Sequence, residues 1–360
     1  MSNSLGKIFK ITCFGESHGP SVGVIVDGCP AGVKLDMDYI QLCLDRRKPG
    51  QSELTTERKE EDLFQITSGI INGVTTGHPI CINIPNKDQR SEDYDDLKEV
   101  YRPSHADFTY DKKYGLRDYR GGGRSSARVT ATWVAAGAIA AQILREQCKT
   151  KVSAYVSQIH DIKLDEGYST LDLDNRYSTD TRCPDEEVSN KMTQRILEAK
   201  SEGDSLGGII SCVVNQVPIG LGDPVFDKLN ANLAKAMMSI NAVKGFSIGS
   251  GFDSVLKKGS ELNDSFVDSE SGAKTSTNNS GGIQGGISNG MDIHFQVAFK
   301  PTATISKEQN TVNSKGQSVK LEASGRHDPC VVPRAVPIVE AMTALVLLDH
   351  FLYQKSVKLD

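Results

Sequence analysis

An α+β fold is what this 360-residue sequence predicts, and three observations carry the prediction. Strand-like and helix-like segments are mixed without the regular strand–helix alternation that builds a doubly wound parallel sheet. A long helical stretch in the middle of the chain is apolar nearly all round, so it needs cover on most sides. No Pro- or Ser-rich linker divides the sequence, and residues 1–360 read as a single domain.

The elements follow in order. Residues 8–12 and 22–28 read as strands, separated by the polar turn Gly15-Glu16-Ser17-His18-Gly19-Pro20. Asp36 is placed to cap a helix that carries Tyr39, Ile40, Leu42 and Leu44. Arg46, Arg47 and Lys48 lie at its C-terminal end, before Pro49-Gly50. Residues 53–62 are charged and short of apolar side chains, which reads as a mobile loop.

The apolar helix spans residues 129–144, with Trp133, Val134, Ile139, Ile143 and Leu144 among many alanines and no charge before Arg145. A second helix is predicted from Asp223-Pro224, a cap followed by proline in the first turn, through Leu229, Leu233, Met237 and Ile240. A third runs from about Pro337 through Met342, Leu345, Leu348 and Phe351. Residues 208–214 and 293–299 read as strands. The stretch 276–290, with Gly281-Gly282 and Gly285-Gly286, reads either as a linker or as a glycine-rich binding turn.

Composition narrows the function classes. With 41 Lys and Arg against 46 Asp and Glu, a formal net charge of −5 and 38% hydrophobic residues, the chain is a soluble globular type. It lacks the concentrated basic excess of a general nucleic-acid or membrane binder. The eight cysteines are scattered singly, with no Cys-x-x-Cys and no histidine at metal-ligand spacing. Neither a disulfide framework nor a metal site is expected, and a reduced, cytoplasmic setting fits. The first ten residues lack an apolar leader core, and no segment is read as a membrane span.

Against this acidic background, residues 102–128 hold seven Lys and Arg and three Asp. Within them Gly121-Gly122-Gly123-Arg124-Ser125-Ser126 leads straight into the apolar helix. Backbone N–H groups, a helix N-terminus, hydroxyls and arginines together suit an anion, phosphate in particular. The Gly-Lys-Ser/Thr ending of a P-loop is absent, as is a dinucleotide fingerprint. His18, His105 and His327 sit among Gly, Ser, Arg and Asp, a setting suited to proton transfer, whereas His78, His160, His294 and His350 read as structural. Gly325-Arg326-His327-Asp328-Pro329-Cys330 puts a basic, a titratable and an acidic group on one turn, where Asp328 could equally cap the last helix or partner an arginine. Lys300-Pro301-Thr302-Ala303-Thr304 ends a strand as a ligand rim or a plain turn.

Four strings, Phe14-Gly15-Glu16-Ser17-His18-Gly19, Arg102-Pro103-Ser104-His105-Ala106-Asp107, the run from Tyr114 to Arg128, and Gly325 to Cys330, closely resemble the chorismate synthase family. The resemblance extends from about Gly6 to His350. It implies a β-α-β sandwich with helices layered between two antiparallel sheets, assembled as a homotetramer. It also implies a lyase of the shikimate pathway of aromatic amino-acid biosynthesis. The reaction would be a 1,4-anti-elimination of phosphate from 5-enolpyruvylshikimate 3-phosphate to give chorismate, requiring reduced FMN (FMNH2) without net redox change.

Carried over by position, His18 becomes the acid for the leaving phosphate, His105 a proton donor to the reduced flavin, and Asp328 a helper in removing the ring proton through the flavin N5. Arg47, Arg102, Arg128 and Arg326 become substrate-anion contacts. Arg124, Ser125, Ser126, Asn241, Ala242, Gly286, Lys300, Pro301, Thr302, Ala303, Thr304 and Arg326 become the flavin surround. Ser104 stands where the family often has glycine. Glu53 stands where many members have arginine, which puts one substrate or dinucleotide (NADP) contact in question, with Arg58 as a substitute. The lack of a long insertion implies an external flavin reductant. The rival readings are a flavin-dependent oxidoreductase and a non-enzymatic anion-binding regulator.

Overall fold

The computed structural model describes residues 3–55, 60–87, 97–269, 272–322 and 328–357. The first half contains β1 (Ser4–Leu5), β2 (Lys10–Gly15), β3 (Ser21–Asp27), α1 (Met37–Arg47), β4 (Gln65–Ser68), the small hairpin β5 (Ile70–Ile71) and β6 (Val74–Thr75), and β7 (Ile80–Pro85). Helices α2 (Asp107–Tyr114) and α3 (Thr130–Cys148) lead to β8 (Lys151–Ile159), β9 (Ile162–Lys163), α4 (Glu186–Ser201) and β10 (Gly208–Asn215). Then come α5 (Leu229–Met238), β11 (Val243–Ile248), α6 (Gly259–Leu262) and the hairpins β12 (Phe266–Ser269) with β13 (Gly272–Thr275) and β14 (Ile283–Gln284) with β15 (Ile287–Ser288). The chain closes with β16 (Ile293–Phe299), the hairpin β17 (Gln309–Val312) and β18 (Ser318–Leu321), and α7 (Val332–Gln354).

Two five-stranded antiparallel sheets result, in the orders β1-β2-β3-β7-β4 and β11-β16-β10-β8-β9. Period-two patterning sets their faces. In β7, Ile80, Ile82 and Ile84 are buried while Cys81, Asn83 and Pro85 between them are less so. Helix α3 packs on β2, β3 and β7 of the first sheet and on β8 of the second, and α7 lies against α3, β8 and β10. The fold is α+β, with the apolar helices between the sheets and one continuous core through all three layers.

Several expectations meet the structure closely. Asp36 caps α1 by accepting from the Tyr39 N–H at 3.0 Å. Others need correction. The second helix begins at Leu229, not at Asp223: the chain turns through Val225 at φ +70°, and the Leu229 N–H is received by the Gly286 carbonyl at 2.8 Å. Here Gly286 must be glycine, because its φ is +92° and a Cβ would lie 2.5 Å from Lys228 Cγ. The glycine-rich stretch is therefore the β14–β15 hairpin seated on the start of α5, and not a linker. The last helix starts at Val332, with Pro333 in its first turn, where the missing N–H has no intrahelical partner to lose, and Pro337 lies inside the helix at the loss of one intrahelical bond.

Two segments, residues 127–148 and 332–354, do reach the length and hydropathy of a membrane span, contrary to expectation. Both are mostly buried between the sheets. The stretch 53–62 is not simply a mobile loop either. Among its described residues Leu54, Glu60 and Asp62 are buried, and Asp62 is paired with two arginines.

Candidate active site

A cleft of about 340 Å³ opens where the 121–127 turns meet the 15–20 turn, the 102–106 turn, the segment after α5 and the end of β16. Among the predicted residues it gathers His18, His105, Arg102, Ser125, Ser126, Asn241, Ala242, Lys300, Thr302, Ala303 and Thr304. Positions from five separate stretches of sequence thus share one site.

Each wall has a local cause. His18 sits on the turn between β2 and β3, with Gly121 directly against it: a Cβ on Gly121 would lie 2.8 Å from His18 Nε2. Ser104 takes φ +57°, a left-handed position that favours glycine. The turn returns His105 Nδ1 to within 2.9 Å of Asp107 Oδ1 at the start of α2. The Arg102 guanidinium grips the same carboxylate, Nε to Oδ2 and Nη2 to Oδ1, both at 2.8 Å, and Nη2 also donates to the Gly121 carbonyl at 2.8 Å. Burial alone would raise the Asp107 carboxyl, but the hydrogen bonds from Arg102 and His105 outweigh it and hold the group far below the usual carboxylate range. Lys300 is pushed down in pKa by burial and by Lys244.

A smaller cavity of about 60 Å³ adjoins the cleft through Ala127, Asn241, Ala242 and Val331, and it is lined by Arg47, Asp328 and Arg334. Asp328 is ion-paired with Arg334 Nη1, and Arg334 Nε donates to the Arg47 carbonyl at 3.4 Å. Sequence reading placed Asp328 beside Arg326 and passed over Arg334. The α7 periodicity could have found it, since Arg334 is one turn above the motif.

Not every predicted residue lines the cleft. Arg128 is buried behind it, donating to Asn86 Oδ1 at 2.7 Å, to the Pro85 carbonyl at 3.0 Å and to Asp62, which also receives Arg47. Arg124 faces a neighbouring cavity of about 850 Å³, and its guanidinium is spent on the Gly15 and Cys13 carbonyls at 2.8 and 3.1 Å. Pro301 is exposed and only accepts from Lys300 Nζ at 3.1 Å. Gly286 lies at the opposite end of α5 from Asn241, about 15 Å away for ten residues at 1.5 Å each. Glu53 is exposed outside the cleft, with its carbonyl receiving Lys200 Nζ at 2.9 Å. Arg58, Arg326 and His327 lie outside the described residues.

The expected phosphate cradle is also modified. Residues 123–125 and 127–129 form 3-10 turns before α3 begins at Thr130. The Ser125 and Ser126 amides bond within those turns, and Ser126 Oγ receives the Arg128 amide at 3.2 Å. The helix start therefore offers fewer free N–H groups than the motif suggested.

What remains open for a ligand are polar atoms in the cleft wall. Ser17 Oγ, Asn241 Oδ1 and Thr302 Oγ1 are buried and have no hydrogen-bond partner among the described residues. Buried polar atoms left in this state are costly, and a polar ligand would satisfy them. Together with Lys300 and Arg102, they suit a polar, anionic ligand.

Comparison with known proteins bears on the whole chain. A family model described as Chorismate synthase matches residues 9–352. The chain is 56% identical to the chorismate synthase of Cytophaga hutchinsonii over 361 residues, covering 100% of both sequences. It is 58% identical to that of a Prochlorococcus marinus strain over 354 residues, covering 98% of this chain and 97% of the relative. A crystal structure of chorismate synthase superposes with a TM-score of 0.79 at 30% identity, covering 98% of this chain and 94% of that one. With motifs, layered fold and full-length relatives in agreement, this chain belongs to the chorismate synthase family.

Proposed function

We propose that the protein converts 5-enolpyruvylshikimate 3-phosphate to chorismate by 1,4-anti-elimination of phosphate and a ring proton, with reduced FMN held in the cleft. The observation that carries this reading is the convergence of His18 and His105, 87 residues apart in the sequence, on one cleft that also holds Arg102 and Lys300. Reduced FMN, when bound, supplies an electron-rich partner for the allylic fragment left as phosphate departs. Asn241, Ala242 and the 302–304 turn would hold it, with Lys300 favouring its anionic form.

The chain's own groups do the rest. An imidazole has an unperturbed pKa of about 6.5, so it can be cationic beside a phosphate dianion at working pH and deliver a proton as that group leaves. His18 Nε2, against Gly121, is assigned that task. His105 holds a proton toward the cofactor. Asp328 accepts or relays the ring proton from the adjoining cavity, where Arg334 stabilises it as a carboxylate. Arg102, on the cleft wall, is the arginine assigned to the substrate's anionic groups, whereas Arg47 is buried against Asp62 and borders only the adjoining cavity.

The same reading extends to a cytoplasmic homotetramer that receives its flavin already reduced from an external reductant. Support for the last point is the absence of a long insertion. Replacing His18 or His105 by Ala tests the central assignment: turnover should fall by about 10²-fold or more while FMN still binds. Near-native turnover in both variants would overturn it.

A further inference from the structure

We propose that Asp107 is a positioning residue of this site, fixing His105 with its proton on Nδ1 and its Nε2 toward the cleft, and holding Arg102 against the wall that supports His18. This deepens the functional reading above and rests on it for the roles of the two histidines.

The Asp107 carboxylate is saturated with donors and cations. Asp107 is the first residue of α2, and its side chain is only 3% exposed. Its two oxygens accept the Arg102 backbone N–H at 3.1 Å and two Arg102 guanidinium nitrogens at 2.8 Å each, and Arg117 Nη1 forms an ion pair with it at 3.2 Å. Arg117 is itself anchored to the Leu97 and Lys98 carbonyls at 2.9 and 2.7 Å, so it serves as a buttress on the far side from the cleft. A carboxylate among so many cations stays ionised and can only accept. His105 Nδ1 lies 2.9 Å from Oδ1 without the alignment of a full hydrogen bond, and an ionised oxygen that close favours a proton on Nδ1 over a bare lone pair.

That arrangement fixes the tautomer. With Nδ1 occupied by its proton, the neutral His105 ring presents Nε2 as its exchangeable site, and a second proton taken there can be returned. A buried carboxylate orienting a proton-transferring imidazole is the logic of the Ser-His-Asp triad, met here without a serine nucleophile.

The same carboxylate reaches the other histidine. Arg102, oriented by Asp107, donates to the Gly121 carbonyl at 2.8 Å, and Gly121 is the residue packed against His18 Nε2. Arg102 Nη1 keeps no protein partner among the described residues and remains available to an anion in the cleft. One side chain thus sets the geometry of a proton donor, a substrate arginine and the backing of the second histidine.

The test uses full-length enzyme labelled with 15N-histidine, with the His105 signals assigned by their loss in His105→Gln. Wild-type enzyme should show the Nδ1–H tautomer for neutral His105. In Asp107→Asn, the amide cannot accept from both Arg102 and His105 through the same atom, so the Nε2–H form should appear and kcat should fall by about 10²-fold. An Nε2–H tautomer in the wild type overturns the proposal, and this outcome is readable even if the variant fails to fold. Unchanged tautomer and unchanged kcat in a folded Asp107→Asn also overturn it. A tautomer that follows Asp107 while turnover stays native supports the positioning and refutes instead the role given to His105.

Discussion

Replacing Gly121 by Ala probes the catalytic wall at its tightest point. Gly121 has φ +71°, a conformation that costs an L-residue about 1 kcal/mol or more, partly offset because alanine also restricts the unfolded chain. The new methyl would lie 2.8 Å from His18 Nε2, 2.9 Å from His18 Cδ2 and 3.2 Å from Ser17 Oγ. Ordinary contact needs at least 3.4 Å, so the ring must retreat by about 0.6 Å. His18 is a side chain and can give way, whereas the backbone carbonyl held by Arg102 resists. The stability loss is therefore modest, about 1–2 kcal/mol, or a few degrees in Tm. Catalysis is hit harder, since displacements near 1 Å cost about 10²-fold, and a tenfold or greater fall in kcat is expected. Anaerobic turnover with reduced FMN and a thermal melt measure the two effects. A variant that melts lower but turns over at the native rate would refute the assignment of His18 as the proton donor.

Three further outcomes follow from the geometry. Gly137→Ala would place a methyl 2.5 Å from Ala341 Cβ where α3 crosses α7; despite a helix-propensity gain of about 1 kcal/mol, overpacking should lower the melting temperature, and a rise would contradict the crossing. Burial would raise the Asp62 carboxyl, but Arg47 and Arg128 hold it down at about 2, so its stabilisation is complete above the unfolded value of about 4 and lost as pH falls toward 2. Asp62→Asn should then cost about 3–5 kcal/mol at neutral pH, with the gap from wild type narrowing by about 2–3 kcal/mol between pH about 4 and 2 in chemical denaturation; a gap independent of pH would disprove the pairing. Asp328→Asn should slow turnover with substrate and FMN affinities little changed and a larger isotope effect from deuterium at the abstracted ring position, whereas weakened binding at native turnover would mark a structural residue.

Local chemistry explains what could be read without coordinates. The cap at Asp36, the apolar helix α3 and the strands β10 and β16 each announce themselves within a dozen residues, and the histidine and arginine motifs stand out from an acidic background. Partners set by long-range packing do not. Asp62 looks like one more charge in a polar run, because its arginines come from α1 and from residue 128, which meet it only when the first sheet closes over α3. Asp223-Pro224 carries a good helix-start signal that loses to the β14–β15 hairpin, whose Gly286 carbonyl takes the first amide of α5 instead. Arg334 is passed over because Pro337, five residues into α7, looks like the start of the helix.

Whether the elimination is redox-neutral is tested by one anaerobic experiment. Enzyme is supplied with 5-enolpyruvylshikimate 3-phosphate and a catalytic quantity of chemically reduced FMN, while chorismate, released phosphate and remaining reduced flavin are measured together. Many equivalents of chorismate and phosphate per flavin are expected, in equal amounts, with the flavin still reduced at the end. Product formed only in step with flavin oxidation would identify a net oxidoreductase, and binding without turnover would identify an anion-binding protein; either result would overturn the proposed elimination.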